Sequence, residues 1–186
     1  MSLFEFIVGM VSIILALAVA QLFIGAADLI QRRDHVRFFL PHSIWIVNLF
    51  FLIFLHWWSL WTFRDLPWNF AMFFYSLIGP SLMFFCAAML SPRDLSAERI
   101  DVPVHFLSIR QVFLSVFMIT IVLVTLDGPI FGTEELLNGI RVGQALVLAM
   151  AVLGLISKSP RVQLAVSLTV LAGLSAVAVV RFFPGQ

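Results

Sequence analysis

From Phe6 to Ala27 the chain carries no Asp, Glu, Lys or Arg. A helix rises 1.5 Å per residue, so about 20 apolar residues cross the roughly 30 Å hydrocarbon core of a bilayer. In that medium a backbone amide finds no water, and a single helix satisfies its own hydrogen bonds where an open strand cannot. The same charge-free pattern returns at Leu40–Phe63, Asn69–Leu90, Gln111–Leu126 and Val162–Val180. Only 11% of the residues are charged and 62% are hydrophobic, against about 25% charged in a soluble domain. Water could not solvate such a surface. The expected fold is all-α: one polytopic transmembrane bundle over residues 1–186, with about six spans near 3–30, 40–63, 68–90, 106–126, 136–157 and 161–182.

Local signals place the ends. Pro41 suits a first helical turn, where its missing N–H has no partner to lose. Gly79-Pro80 lies mid-span and predicts a kink. Gln111–Leu126 is short for a span, so its helix is expected to start near Phe106 with Arg110 snorkelling to the headgroups. Thr133 is a candidate N-cap for the fifth span, with Glu134 and Glu135 in the first turn, where the helix dipole favours acids. Ser159-Pro160 reads as the start of the sixth. Between spans three and four, Ser91-Pro92-Arg93-Asp94 suggests a brief surface helix ending before Pro103. Ala18-Val19-Ala20 resembles a cleavage site, but Glu5 and the absence of Lys or Arg before it argue for a membrane span over a secretory leader. Repeats and low-complexity segments are absent from the sequence.

Positive charge gives an orientation. The loops after odd-numbered spans, with their flanks, hold Arg32, Arg33, Arg37, Arg93, Arg99, Arg110, Lys158 and Arg161; the rest of the chain holds Arg64, Arg141 and Arg181. Lys and Arg concentrate on the cytoplasmic side, so both termini are expected outside, in a multi-pass protein of the plasma (inner) membrane. Trp57, Trp58, Trp61 and Trp68 flank the short Arg64–Leu66 loop as an interfacial aromatic belt would. Net charge of +1 gives no basic face for nucleic acid. The expected partners are the lipid bilayer and other membrane subunits or further copies of the chain. Ala16/Ala20 and Gly139/Gly143 are small-xxx-small pairs that permit close helix approach, within the chain or between copies.

Polar groups inside spans are costly and usually face inward, which makes them the best functional pointers available. From helical rise, Gln21 and Asn48 lie about 12–13 Å from the inner ends of spans one and two, and an interhelical hydrogen bond between them is expected. His56 and Gln144 lie about 10–12 Å below the outer ends of spans two and five, with Ser76 at a similar level. These three could line a polar chamber, with Arg141 and Glu5 near its rim. Histidine carries protons or ligates metals near neutral pH, but it also serves as a plain hydrogen-bonding group.

Other chemistry has little support. His42 and His56 share a helix fourteen residues apart, as in two-haem membrane cytochromes, but no second helix carries a matching pair. His35 and His105 fall on the side of His42, so a single haem or metal there is a distant third reading. Cys86 stands alone in an apolar run, and neither zinc spacing nor a disulfide is possible within the chain. HExxH, GxSxG, a phosphate loop and paired intramembrane carboxylates are all missing from the sequence; Asp28 and Asp127 are placed near interfaces. No enzyme, cofactor or metal is therefore expected. The favoured reading is a non-catalytic subunit or sensor that binds partners within the membrane, and the alternative is a small oligomeric channel or transporter with a polar path near His56.

Overall fold

A computed structural model describes residues 2–92, 99–133 and 140–182. Six helices follow in order: α1 (Leu3–Gln31), α2 (Leu40–Ser59, continued by a 3-10 turn Leu60–Phe63), α3 (Phe70–Leu90), α4 (Val102–Ile130), α5 (Ile140–Ile156) and α6 (Pro160–Phe182). Five of them are long and apolar enough to cross a membrane, and α5 is the shorter exception as described. The chain is an all-α polytopic bundle, as its charge-free stretches require.

Sequence-encoded caps fix the helix starts. Ser2 and Glu5 form a reciprocal capping box on α1. Asn69 accepts from the Met72 amide at 3.0 Å, and Asp101 from the Val104 amide at 3.1 Å. Pro41 and Pro160 sit in first turns, and α3 runs unbroken through Pro80. The fourth helix departs most from expectation, starting at Val102 and passing through Gly128-Pro129 to Ile130. The Glu134–Gly139 stretch, with the expected start of span five, and the proposed surface helix over Arg93–Glu98 lie outside the described residues.

Helix neighbours are not the sequential ones throughout. α1 lies mainly against α3, and α2 against α6, while α3–α4, α4–α5 and α5–α6 pack consecutively. The core runs between them, with Trp45 of α2 edge-on to Phe113 and Phe117 of α4 at 5.1 and 4.9 Å. A two-residue parallel pair, β1 (Val36–Arg37) with β2 (Ile100–Asp101), ties the two longer loops on one side, reinforced by Arg37 and Asp101 at 3.3 Å. No sequence signal announced it.

α1's preference for α3 overturns the Gln21–Asn48 bond. The Asn48 amide donates instead to the Ser167 carbonyl of α6 at 2.9 Å. Gln21 faces a groove beside α3, where its backbone carbonyl accepts from the Ser91 hydroxyl at 3.3 Å. Equal depth in two spans is necessary for a bond but says nothing about which helices touch.

Candidate functional site

On the side of the bundle where α1 begins and α2 ends, α2, α3, α4 and α5 bring polar side chains together. His56 is buried on α2. Its Nδ1 lies 3.9 Å from Oδ2 of Asp127, an ion pair whenever the imidazole is protonated. Asp127 was expected at the interface; the continuation of α4 past it turns its carboxylate inward, with only 14% of the side chain exposed. From α3, Tyr75 donates to the Leu123 carbonyl at 3.1 Å, with its hydroxyl beside Asp127. Ser76 is buried one position on, its hydroxyl donating to the Phe73 carbonyl of its own turn at 2.7 Å.

Two cavities adjoin His56. One, about 50 Å³, is lined by His56, Ser59, Thr125 and Gln144 among apolar residues that include Leu52, Ile121 and Leu174. The other, about 10 Å³, is lined by His56, Tyr75, Ser76 and Asp127. His56 thus shares one cavity with Gln144 and the other with Ser76, and neither of the two holds all three residues. A bound water needs about 10–15 Å³ of such space, so the larger cavity has room for a few waters and the smaller for one at most. An organic solute does not fit either. The Thr125 hydroxyl, which lines the larger cavity, has no hydrogen-bond partner among the described residues.

Arg141 completes the larger cavity's wall through its partners. Its Nη1 donates to the Gln144 side-chain oxygen at 2.9 Å and to the Thr125 carbonyl at 2.5 Å. Proline at 129 has no N–H, which leaves the carbonyl four residues earlier without its helical donor; that carbonyl belongs to Thr125. Arginine supplies from α5 the bond that proline removes from α4. Glu5, expected at this rim, belongs to a different groove on the lipid side of α1 and α2, with Trp57, Trp58 and Trp61. Trp57 donates to Ser12 of α1 at 3.0 Å, and Trp68 turns back to the Phe63 carbonyl at 3.0 Å.

The polar residues of the opposite side have another task. α3 ends at Leu90, and its last carbonyls accept from His105 (to Met89, 3.1 Å) and His42 (to Leu90, 2.7 Å). α5 ends at Ile156, where Gln163 donates to the Gly154 and Ser157 carbonyls at 2.8 and 2.6 Å and Arg110 to the Leu155 carbonyl at 3.1 Å. The final carbonyls of a helix have no intrahelical donors, so these four side chains act as C-caps reaching across from neighbouring helices. Arg110 is accordingly 1% exposed and does not snorkel. His42 and His105 spend a ring nitrogen each on backbone, and His35 is exposed in the loop. No group of three or more possible metal ligands occurs among the described residues.

Sequence reasoning missed Asp127, Tyr75 and Thr125. Sequence reasoning ends the span at Leu126 because Asp127 is charged, whereas α4 continues through Gly128-Pro129 to Ile130, the bond lost at proline being made good from another helix. Comparison with family models, with curated proteins and with solved structures finds no match for this chain.

Proposed function

We propose that this protein is a non-catalytic membrane component that responds to protonation of the His56–Asp127 pair and passes the response to partners in the bilayer. The observation that carries this reading is the 3.9 Å approach of the two titratable side chains between water-sized cavities. Protonation of the imidazole converts a neutral ring beside a carboxylate into an ion pair. The groups facing it are Asp127 from α4 and Tyr75 from α3, and Arg141 from α5 acts through Gln144. A change of charge at this junction bears on the packing of four helices at once. Two discrete packings biased by one protonation make a switch.

The test is a pH titration of the whole protein in lipid nanodiscs, with 15N-labelled histidine read by NMR and spin labels reporting the separation of α2 and α4. The His56 signal should change protonation state within the pH range over which the protein stays folded. The α2–α4 distance should follow it, and Asp127→Asn should uncouple the two. A His56 ring that keeps one state across that range, or that titrates with no change in distance, would sink the proposal.

A transport reading draws support from the two cavities that adjoin His56, one with Gln144 and one with Ser76. Below them, however, Trp45, Leu49, Leu52, Phe113 and Phe117 are buried in a tight core, so a path would have to open there. Proton flux into liposomes that disappears in His56→Phe would establish transport; flux indistinguishable from empty liposomes would leave the sensor reading.

A further inference from the structure

The His56–Asp127 pair sits far closer to one face of the bundle than to the other. At 1.5 Å of rise per residue, Asp127 lies about 5 Å from the end of α4 and about 38 Å from its start, and His56 about 24 Å from the start of α2. In the longer direction the core is closed. Trp45, Leu49, Leu52, Phe113 and Phe117 are each at most 3% exposed, and the Trp45 ring packs edge-on against both phenylalanines.

In the shorter direction stands a cluster of aromatic rings. The smaller cavity, the one that touches both His56 and Asp127, has Phe63, Trp68, Tyr75 and Phe131 in its wall. Phe131 is their hub, with ring centres 5.0 Å from Phe63, 5.5 Å from Trp68 and 5.6 Å from Tyr75. It is the C-cap residue of α4, and Gly132 after it has φ of +70°, the left-handed turn that commonly ends a helix. The Thr133 amide then donates to the Gly128 carbonyl at 2.9 Å, so the chain folds back at this point. Two of the other rings are tied by hydrogen bonds, Trp68 to the Phe63 carbonyl at 3.0 Å and Tyr75 to the Leu123 carbonyl at 3.1 Å. Phe63 is the deeper of the two phenylalanines, 2% exposed against 8% for Phe131. Phe131 has no hydrogen-bonding side-chain atom, and a single aromatic contact costs only about ten-fold in population to break. It is the ring of the four that moves most readily.

We infer that the His56–Asp127 pair exchanges protons with one face of the membrane only, the face where α2 ends and α3 begins, and that the Phe131 ring is the gate. The inference rests on the protonation reading above and adds to it which compartment is sensed. The orientation expected from the positive charges makes this the non-cytoplasmic side. The other groups facing the pair are Tyr75 from α3 and, through Gln144, Arg141 from α5. The α6 residues in the cavity walls, Leu174 and Val177, carry no charge.

The test uses the full chain with Ser76→Cys, which puts a thiol in the wall of the smaller cavity, in sealed vesicles given silver ion on one side. Silver ion is close to water in size, does not cross lipid, and blocks a thiol against later alkylation. Peptide mass separates position 76 from native Cys86. Asp65→Cys, exposed in the loop between α2 and α3, marks the face whatever the orientation. Position 76 should be blocked only from the face at which position 65 reacts. Phe131→Ala should speed that blocking by about ten-fold, the factor for one good aromatic contact. If Phe131→Ala fails to fold, Phe131→Leu, which keeps bulk and loses the ring contacts, takes its place. Blocking from the opposite face, from both equally or from neither, or a rate indifferent to residue 131, would overturn the inference. The assay reads no histidine titration, so a His56 that never changes state sinks the protonation reading without altering this result, and the two failures are told apart.

Discussion

Gln163 and Gln21 both lie in spans, and the structure predicts different consequences for replacing them. Gln163 is completely buried on α6 and donates to two carbonyls at the end of α5, Gly154 and Ser157. Gln163→Leu removes both donors. A buried carbonyl left without a partner costs about 1–3 kcal/mol, so two such losses weigh against the change. The wild-type side chain, however, already holds one unpartnered buried acceptor, its Oε1, and leucine removes that as well. The balance is one group's worth, a loss of about 2 kcal/mol. Gln163→Glu should be worse than leucine at neutral pH, since it also loses the donors and places a negative charge against the negative end of the α5 dipole. Gln21→Leu should change stability by less than about 0.5 kcal/mol, as for a side chain with no buried network to break, because no hydrogen bond of its amide is formed among the described residues. Unfolding in mixed micelles titrated with a denaturing detergent, followed by helical circular dichroism, measures all three. If Gln163→Leu cost no more than Gln21→Leu, water or headgroups would be reaching the end of α5, and the capping account of Gln163 and Arg110 would fail.

His42→Phe and His105→Phe should each lower stability by about 1–3 kcal/mol in the same assay, since each strands a terminal carbonyl of α3. Gly173→Ala should destabilise, because its Cβ would lie 2.8 Å from Cγ2 of Val147, whereas Gly9→Ala should be neutral or stabilising by up to about 1 kcal/mol, the helix preference of alanine over glycine. Arg141→Leu should lower the thermal midpoint, and Pro129→Ala in that background should restore part of it by returning the N–H that Thr125 lacks. Alkaline phosphatase fused after Arg64 in a bacterial host should be active, and fused after Arg99 inactive; the reverse pattern would invert the orientation derived from the positive charges.

The helices themselves were legible because the bilayer imposes a length and forbids charge. Five of the six expected starts fall within about four residues of those found, a margin ordinary for boundaries read from sequence, while the described part of α5 begins at Ile140. Which helices touch was not legible. In water an amphipathic stripe marks the core-facing side, but lipid is as apolar as the core. Val11 is fully buried and Ile13 is 58% exposed on the same helix, and nothing in their chemistry separates them. The α1–α3 contact, the α2–α6 contact and the failure of the Gln21–Asn48 pairing all follow from that degeneracy. His56, Ser76 and Gln144 were found by depth and polarity together. Asp127 was placed at an interface because it is the first charge after the Gln111–Leu126 run, whereas α4 continues past it through Pro129, whose lost bond Arg141 makes good.

Intramembrane polar residues have two reasons to exist, and they separate by what they touch. A helix that ends inside the bundle exposes carbonyls that the bilayer cannot satisfy, so side chains must reach them from neighbouring helices. His42, His105, Arg110 and Gln163 do this for α3 and α5, and Arg141 does it for the proline gap in α4. Such residues are polar for structural reasons, and a histidine among them signals no chemistry. His56 and Asp127 differ, because the contact each makes with the other joins two titratable side chains beside space for water. Replacing the pair with apolar residues would leave no helix end stranded, since neither lies at the C-terminal end of α3 or α5. A buried ion pair is also weak support for stability, its desolvation cost being comparable to its attraction. The His56–Asp127 pair, which caps neither of these helix ends, is therefore where the proposed protonation response is placed.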